Sequence, residues 1–162
     1  MGKNMNRVSL DSADRSMLRL LQADGSMSSI AVGEQLSLST TPTWRRRKRL
    51  EEEGVITGYE AIINRRAVGL NLTAFVQISF NMHSDKAADV FESVMRSNPY
   101  VLSCHKVTGS ADYILQIVAA DLDAYGEFVE KVLRTQPGIS SIHSSLALRE
   151  IKDTHRLPIP DN

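Results

Sequence analysis

The sequence predicts an α+β protein made of a helical N-terminal domain and a C-terminal domain in which strands and helices alternate. Up to about Gly54, apolar residues recur at helical spacing in short segments, and from Leu72 onward the apolar period changes to two. The charge divides in the same way. Residues 1–66 hold 11 Lys/Arg against 8 Asp/Glu, a net charge of +3, and residues 67–162 hold 8 against 11, a net charge of −3.

Three short helices are predicted in the N-terminal domain. Asp11 can cap the first helix, with Asp14 three residues further on. Gly33 is expected to weaken the second helix, because glycine loses more backbone entropy than any other residue when a helix forms. Pro42 lies in the first turn of the third helix, which stops at Gly54. The three segments are residues 11–23, 28–36 and 39–54.

The last two helices are separated by the tight turn Ser37–Leu38–Ser39, which is the arrangement of a helix-turn-helix. Residues 55–63 then have an extended pattern with a turn expected at Gly58. This segment is predicted to be a wing, or a strand that leads to the next domain. The N-terminal domain is therefore predicted to be a winged helix-turn-helix over residues 9–63.

The C-terminal domain is predicted to follow the order βαββαβ, which is the ferredoxin-like sandwich. In the first strand, LTAFVQISFNM, apolar residues alternate from Leu72 to Met82. Helix-terminating signals at Pro99 and at Pro137–Gly138 close the two helices. The elements are predicted at 72–82, 85–98, 100–107, 113–119, 122–136 and 139–151. The domain covers residues 72–152, after a linker at 64–71 and before a tail at 153–162.

Two helices can cover only one face of a four-stranded sheet, so the other face must meet water or another subunit. That face is predicted to be of mixed polarity, which favours dimerisation through it. Its predicted members are Thr73, Phe75, Gln77, Val101, His105 and Val107.

The third helix carries five consecutive basic residues, RRRKR, from Arg45 to Arg49, followed by three glutamates. At 100° per residue they surround the helix, so they form no single amphipathic face. One interpretation is a solvated helix with i,i+4 ion pairs. The position of this run on the second helix of a helix-turn-helix favours contact with DNA instead, because that helix enters the major groove by its N-terminal turns.

Within this helix, Arg45 can bind guanine in bidentate fashion, and the threonines offer a hydroxyl and a methyl group to bases. Arg46, Lys48 and Arg49 are better placed for phosphates, which fix the register on the duplex. Trp44 has two open interpretations, as an aromatic surface for DNA or as a core residue against the first helix. The predicted DNA-binding residues are Ser39, Thr40, Thr41, Thr43, Trp44, Arg45, Arg46, Lys48 and Arg49.

A second candidate site is the turn GSADY, from Gly109 to Tyr113. A turn that begins with glycine exposes several backbone N–H groups, which can bind a carboxylate. Asp112 beside them can pair with an ammonium group, so one turn could bind both charges of a free α-amino acid. The alternative is an ordinary hairpin in which Asp112 bonds the amides of its own turn.

These motifs together resemble the Lrp/AsnC ("feast/famine") family of bacterial and archaeal regulators. DSADRSMLRLLQADG and LSLSTTPTWRRRKRLEEEGVITGY are similar to its DNA-binding half, and VTGSADYILQ and HSSLALREIK to its regulatory half. The resemblance covers about residues 9–158. One departure is Arg47, where the family usually has an aliphatic residue on the inward face of the helix. Arg47 is expected either to extend past the core or to displace the helix slightly.

The resemblance implies a transcriptional regulator with a RAM-type regulatory domain that senses an amino acid between subunits. It implies dimers that assemble into tetramers or octamers, and a pseudo-palindromic site on double-stranded DNA. The apolar Leu122 and Ala147 would suit an aliphatic or thioether effector. The implied effector-binding residues are Gly109, Ser110, Ala111, Asp112, Leu122, Ser145 and Ala147.

Other classes of protein fit the sequence less well. Cys104 and His105 are neighbours on a strand and should point to opposite faces, so they form no nucleophile–base pair. Neither the histidines nor the single cysteine has metal-ligand spacing, and no apolar run approaches the ~18 residues of a membrane span. We therefore expect a cytoplasmic protein without enzymatic activity, metal or cofactor. The remaining alternative is a small-molecule-binding oligomerisation module without DNA-binding activity.

Overall fold

The computed structural model describes residues 8–81 and 85–161, and the chain divides into two compact units. Residues up to Ile62 form the first unit together with the C-terminal segment from Asp153, and Ile63–Lys152 form the second. The predicted linker at 64–71 thus lies in the second unit, and the predicted tail lies in the first.

The first unit contains the three predicted helices, α1 (Ser12–Ala23), α2 (Ser29–Leu36) and α3 (Thr40–Glu52). The cap at Asp11 is confirmed: its carboxylate accepts from the Asp14 N–H at 2.8 Å, and the Asp14 carboxylate accepts from the Asp11 N–H at 3.0 Å. Ser28 caps α2 by accepting from the Ala31 N–H. The helices enclose a small core of Met17, Leu18, Leu21, Val32 and Leu50.

The segment after α3 differs from its prediction. Residues 57–64 form neither a helix nor a paired strand. Val55 and Ile56 both donate backbone hydrogen bonds to the Leu50 carbonyl and pack against the core of the first unit. Val55 and Ile56 therefore complete the core of the helical domain, whereas Ile62 and Ile63 are exposed and belong to no strand.

The second unit is a four-stranded antiparallel sheet with two helices, and its βαββαβ order confirms the predicted fold class. The strands are β1 (Leu72–Phe80), β2 (Val101–Lys106), β3 (Tyr113–Ala119) and β4 (Ile139–Leu146). The helices are α4 (Asp85–Ser97) and α5 (Leu122–Phe128), which continues as a π-helical turn over Val129–Leu133. The strand order in the sheet is β2-β3-β1-β4. β4 ends five residues before the predicted Ile151, and Met82 lies outside the described residues.

The alternation in β1 decides which face of the sheet is buried. Ala74, Val76 and Ile78 are fully buried and pack with Leu115 and Ile117 of β3. Val101, which the sequence placed on the opposite face, packs against this core instead. The cause is a shift of register between Val101 and Ser103, which breaks the simple alternation of β2.

Gly33 is required by a close approach between α2 and the turn before α3. A Cβ atom at this position would lie 2.8 Å from the Leu38 carbonyl oxygen and 3.0 Å from the Thr43 hydroxyl. The Gly33 carbonyl also accepts the Leu38 N–H at 2.9 Å, so the turn is held against the helix. The glycine that weakens α2 by propensity is thus the residue that lets α2 and α3 pack.

We predict that Gly33→Ala lowers the free energy of unfolding by about 1–3 kcal/mol, the usual range for an overpacked site. In an open helix the same change stabilises by up to about 1 kcal/mol. Gly126→Ala in α5 is the control, because a Cβ there meets no atom within 4 Å. Urea titration of both full-length variants measures the effect, and a Gly33→Ala protein as stable as the control would contradict the packing argument.

Candidate nucleic-acid interface and effector site

The outward face of α3 is formed by Thr41, Trp44, Arg45 and Lys48, which recur at helical spacing and are all exposed. Trp44 is 51% exposed, so it is not a core residue. The Lys48 ammonium lies 5.2 Å from the centre of its ring, over the indole. Thr40 and Ser39 are also exposed, at the N-terminal end of the helix. This face presents hydroxyl, aromatic and cationic groups together.

Thr43 does not belong to that face. Its side chain is fully buried, and its hydroxyl donates to the Ser39 carbonyl at 2.9 Å. It lies against Gly33 at the contact between α2 and α3. The prediction that Thr43 binds DNA is therefore corrected, because helical geometry directs position 43 to the core while positions 41, 44 and 45 face outward.

Arg46 and Arg49 point toward α1 rather than straight outward. Both donate to the carboxylate of Asp14, Arg46 at 2.9 Å and Arg49 at 2.6 Å. Arg46 also pairs with Asp11. Hydrogen bonds to Asp11 and then Asp14 raise the pKa of Arg46, and the hydrogen bond to Asp14 raises that of Arg49. The two guanidinium groups are thus held in fixed positions by carboxylates of α1.

A shallow basic cleft of about 430 Å³ opens beside these groups, lined by Asp11, Pro42, Arg45, Arg46 and Arg49. Among residues 8–81 and 85–161, Arg45 takes part in no ion pair. The N–H donors of the Arg45 guanidinium are therefore available to a ligand. Arg46 and Arg49 use some of their N–H groups in hydrogen bonds to Asp11 and Asp14. The cleft suits an anion such as a phosphate group.

Arg47, the departure from the family pattern, extends along the inner side of α3. It donates to the Met27 carbonyl at 2.7 Å and to the Tyr59 hydroxyl at 3.0 Å. Its guanidinium also lies over the Tyr59 ring, 4.7 Å from the centre. Glu51 accepts from both Arg47 and Tyr59. The arginine thus connects α3 to the turn before α2 and to the segment after α3.

We predict that Asp14→Asn lowers the free energy of unfolding by about 2 kcal/mol, because a carboxamide replaces the charged partner of two guanidinium groups. Asp24→Asn is the control, since Asp24 hydrogen bonds to Ser26 in an exposed turn. Chemical denaturation measures both variants. Equal stability of the two would contradict the role assigned to Asp14.

In the second unit, Asp112 of the predicted effector turn is held by backbone groups at the end of β1. One carboxylate oxygen of Asp112 accepts from the Phe80 N–H at 2.8 Å. Its own N–H donates to the Ile78 carbonyl at 2.9 Å. Asp112 therefore bonds the end of β1 rather than the amides of its own turn. Gly109 has φ of 120°, which only glycine adopts readily, so the turn depends on it.

Six of the seven predicted effector residues fall into two groups at opposite ends of the sheet, and the seventh, Ser145, pairs with Phe75 between them. Gly109, Ser110, Ala111 and Asp112 lie at the end where Ile78 pairs with Tyr113. Leu122 follows the other end of β3, where Ala119 pairs with Leu72, and Ala147 donates to the Thr73 carbonyl there. Ile78 lies five residues after Thr73 in β1, which is about 17 Å at the usual rise per residue. One chain therefore does not bring the two groups together.

The open face of the sheet carries a polar cleft of about 320 Å³, lined by Gln77, Ser79, Ser110, Ser141, His143 and Ser145. Ser110 and Ser145 are predicted effector residues that this cleft does bring into one surface. The other four were not among the candidates. Alternation along β4 could have identified Ser141 and His143, because they share a face with Ser145.

Metal or thiol chemistry has no site among the described residues. Within them, no group of three or more His, Cys, Asp or Glu side chains could hold a metal ion. Cys104 packs against the core, and burial raises the pKa of its thiol. His105 is exposed on the other face, as predicted. In the same residues, no helix has the length and apolar character needed to cross a membrane.

Family models match both units. Residues 10–57 match a winged helix-turn-helix DNA-binding family. Residues 73–157 match the Lrp/AsnC ligand binding domain family. The two matches cover the helices that carry the basic cleft and the sheet that carries the polar cleft.

Curated relatives and solved structures agree with these models. The chain is 40% identical to the DNA-binding transcriptional activator DecR of Escherichia coli K12, over 93% of this chain and 99% of that protein. It is 35% identical to the leucine-responsive regulatory protein of Rhizobium meliloti, over 94% and 98%. A transcriptional regulator of Neisseria meningitidis, solved in complex with L-Met, superposes with a TM-score of 0.88 at 37% identity, covering 93% and 97%. These relatives are regulators of transcription rather than enzymes.

Proposed function

The chain belongs to the Lrp/AsnC family of effector-responsive, DNA-binding transcriptional regulators, and we propose that the outward face of α3 reads the DNA sequence. The observation that carries this proposal is the exposure of Thr41, Trp44 and Arg45 on the second helix of a helix-turn-helix. The guanidinium of Arg45, which forms no ion pair with the described residues, can make bidentate contact with guanine. Like its relatives, the protein would act without enzymatic chemistry, and in the cytoplasm where a chromosomal target lies.

Arg46, Arg49 and Lys48 have a different role in this proposal. The carboxylates of α1 hold Arg46 and Arg49 at the rim of the basic cleft, so these cations meet a phosphate without losing further rotamer freedom. Lys48 extends from the exposed side of α3 and can contact a second phosphate. Phosphate contacts of this kind fix the register and carry no sequence information. In this proposal, the DNA sequence is recognised by Arg45, Trp44, Thr40 and Thr41.

We predict that Arg45→Ala lowers affinity for a duplex selected by the wild-type protein from a random pool by about tenfold or more, the value of one bidentate base contact. Affinity for unrelated duplex should fall much less. Arg134→Ala, which removes an exposed arginine from the second unit, is the control for charge. Fluorescence anisotropy at several salt concentrations gives both affinities. If Arg45→Ala lowers affinity for the selected and the unrelated duplex equally, Arg45 contacts a phosphate rather than a base.

The same titration separates DNA binding from its alternative, an oligomerisation module without DNA-binding activity. DNA affinity should fall steeply with salt, because bound counterions are released from the phosphates. An assembly driven by apolar contacts should persist or strengthen. A wild-type protein that selects no duplex from the pool would favour the alternative.

The effector is proposed to be a free amino acid with an aliphatic or thioether side chain. The related regulator of Neisseria meningitidis was solved with L-Met, and Leu122 and Ala147 here are apolar and exposed. Because the two groups of predicted residues lie at opposite ends of the sheet, we propose that each site takes the Gly109–Asp112 turn from one chain and Leu122 with Ala147 from another. The site would then exist only in a homo-oligomer.

That oligomer is proposed to begin with a dimer through the open face of the sheet. Phe75 is 45% exposed on this face, and it is an apolar side chain that a partner chain would cover. Larger assemblies, tetramers or octamers, would bring the opposite ends of neighbouring sheets together. Two reading helices per dimer would favour a pseudo-palindromic site.

We predict that Ser110→Glu and Leu122→Glu each abolish binding of L-Met, because either change puts a carboxylate into one half of a shared site. Both residues are exposed, so the fold should survive. When the two variants are mixed in one oligomer, some sites combine two unaltered halves and binding should return in part. Calorimetry on the mixed and the separate proteins makes the comparison. Absence of recovery would place the whole site within one chain.

A further inference from the structure

The C-terminal segment of the chain, residues 154–161, lies along α1 in the first unit. We call it the C-terminal strap. Gln22 contacts it twice: the Gln22 amide donates to the Leu157 carbonyl at 3.1 Å, and its oxygen accepts the Leu157 N–H at 2.6 Å. Arg156 donates in turn to the Ala23 carbonyl at 3.2 Å. The strap is thus attached to the C-terminal end of α1 by backbone and side-chain bonds.

Two arginines of α1 hold the rest of the strap. Arg19 donates to the Ile159 carbonyl at 2.8 Å and pairs with the carboxylate of Asp161. Arg15 donates to the Pro160 carbonyl at 3.3 Å. Ile159 packs against the small core of the first unit. The exposed side of α1 is therefore a binding surface for one extended segment, with a contact about every second residue.

This helix also carries the carboxylates that hold the recognition helix. Asp14, one residue before Arg15, is the common partner of Arg46 and Arg49. The strap therefore binds one side of α1, and the DNA-contacting arginines bind its N-terminal turn. A change in how the strap binds α1 can alter the position of Arg46 and Arg49 without any direct contact with α3.

The strap also follows the effector domain in the polypeptide chain, after a short connecting segment. Ala147 directly follows β4 and is among the proposed effector residues, and only residues 148–153 separate it from the strap. Six residues span at most about 20 Å even when fully extended, and this length limits how far the strap can lie from Ala147. These residues form neither helix nor strand and are exposed.

We propose that the C-terminal strap couples effector binding to DNA binding, by occupying its surface on α1 to a different extent in the free and the effector-bound protein. The proposal rests on the effector response proposed above. Such coupling requires only that the two states differ in the free energy of strap binding. The strap would then act as an internal ligand of the DNA-binding unit, and the effector would change its occupancy.

The first test is a chain that ends at Asp153, compared with the full chain. The readouts are L-Met binding by calorimetry and DNA affinity with and without L-Met by anisotropy. We expect L-Met to bind the shortened chain with unchanged affinity. In the full chain, L-Met should change the DNA affinity about fivefold or more, which is typical of allosteric coupling. In the shortened chain, the ratio of DNA affinities with and without L-Met should be about one. A shortened chain with an unchanged ratio overturns the proposal.

Because loss of Ile159 could destabilise the first unit, a second set of variants leaves the core intact. Gln22→Ala with Asp161→Ala removes the two Gln22 bonds to Leu157 and the Arg19–Asp161 ion pair. Leu157→Ala is the matched control, since its side chain is 73% exposed and its contacts with Gln22 are made by the backbone. We expect the affinity ratio to fall at least about twofold in the double variant and to stay unchanged in the control.

The two proposals fail differently. If the wild-type chain binds DNA but L-Met and the other amino acids leave its affinity unchanged, the effector response and the strap proposal both fall. If the wild-type ratio is large and the double variant keeps it while urea titration finds both proteins equally stable, the strap proposal alone is overturned.

Discussion

The first unit depends on one buried carboxylate. Asp14 is 1% exposed, and a charge at such a position destabilises the fold unless hydrogen bonds and opposite charges surround it. Its carboxylate accepts a hydrogen bond from the N–H of Asp11, the residue that caps α1. It also accepts from Arg46 and Arg49 of α3. One side chain thus joins the N-terminal turn of the first helix to two arginines of the third. The residues of α3 that face away from this pairing, Thr41, Trp44 and Arg45, are exposed and form the face proposed to bind DNA.

The pairing with Asp14 gives different roles to the five consecutive cations of α3, which look equivalent in the sequence. Arg46 and Arg49 are held by α1, and Arg47 is held by Met27, Glu51 and Tyr59 on the other side of the helix. Arg45 and Lys48 are exposed, although Lys48 also lies over the Trp44 ring and pairs with Glu52. Most of the positive charge of this helix therefore orients α3 within its domain, and a smaller part is free to bind a ligand.

The second unit is constrained in a different way. Its helices cover the face with Ala74, Val76 and Ile78, which leaves a face of serines, histidines, Gln77 and Phe75 open. The turn at Gly109–Asp112 and the residues Leu122 and Ala147 lie at opposite ends of the strands that form this face. An effector site that uses both ends needs more than one chain, so assembly and effector binding become linked equilibria. The C-terminal strap adds a second covalent route from this unit to α1.

The sequence by itself determined the order of elements, the helix cap at Asp11, the buried face of β1 and the family, because each depends on neighbours within a few residues or on periodicity. Tertiary structure alone decided the burial of Thr43, the pairing of Asp14 with two arginines, the inward packing of Val101, the separation of the effector residues and the binding of the strap to α1. The physical reason is the same in each case. These features depend on contacts between residues far apart in the chain, or on a single shift of register, and periodicity carries no information about either.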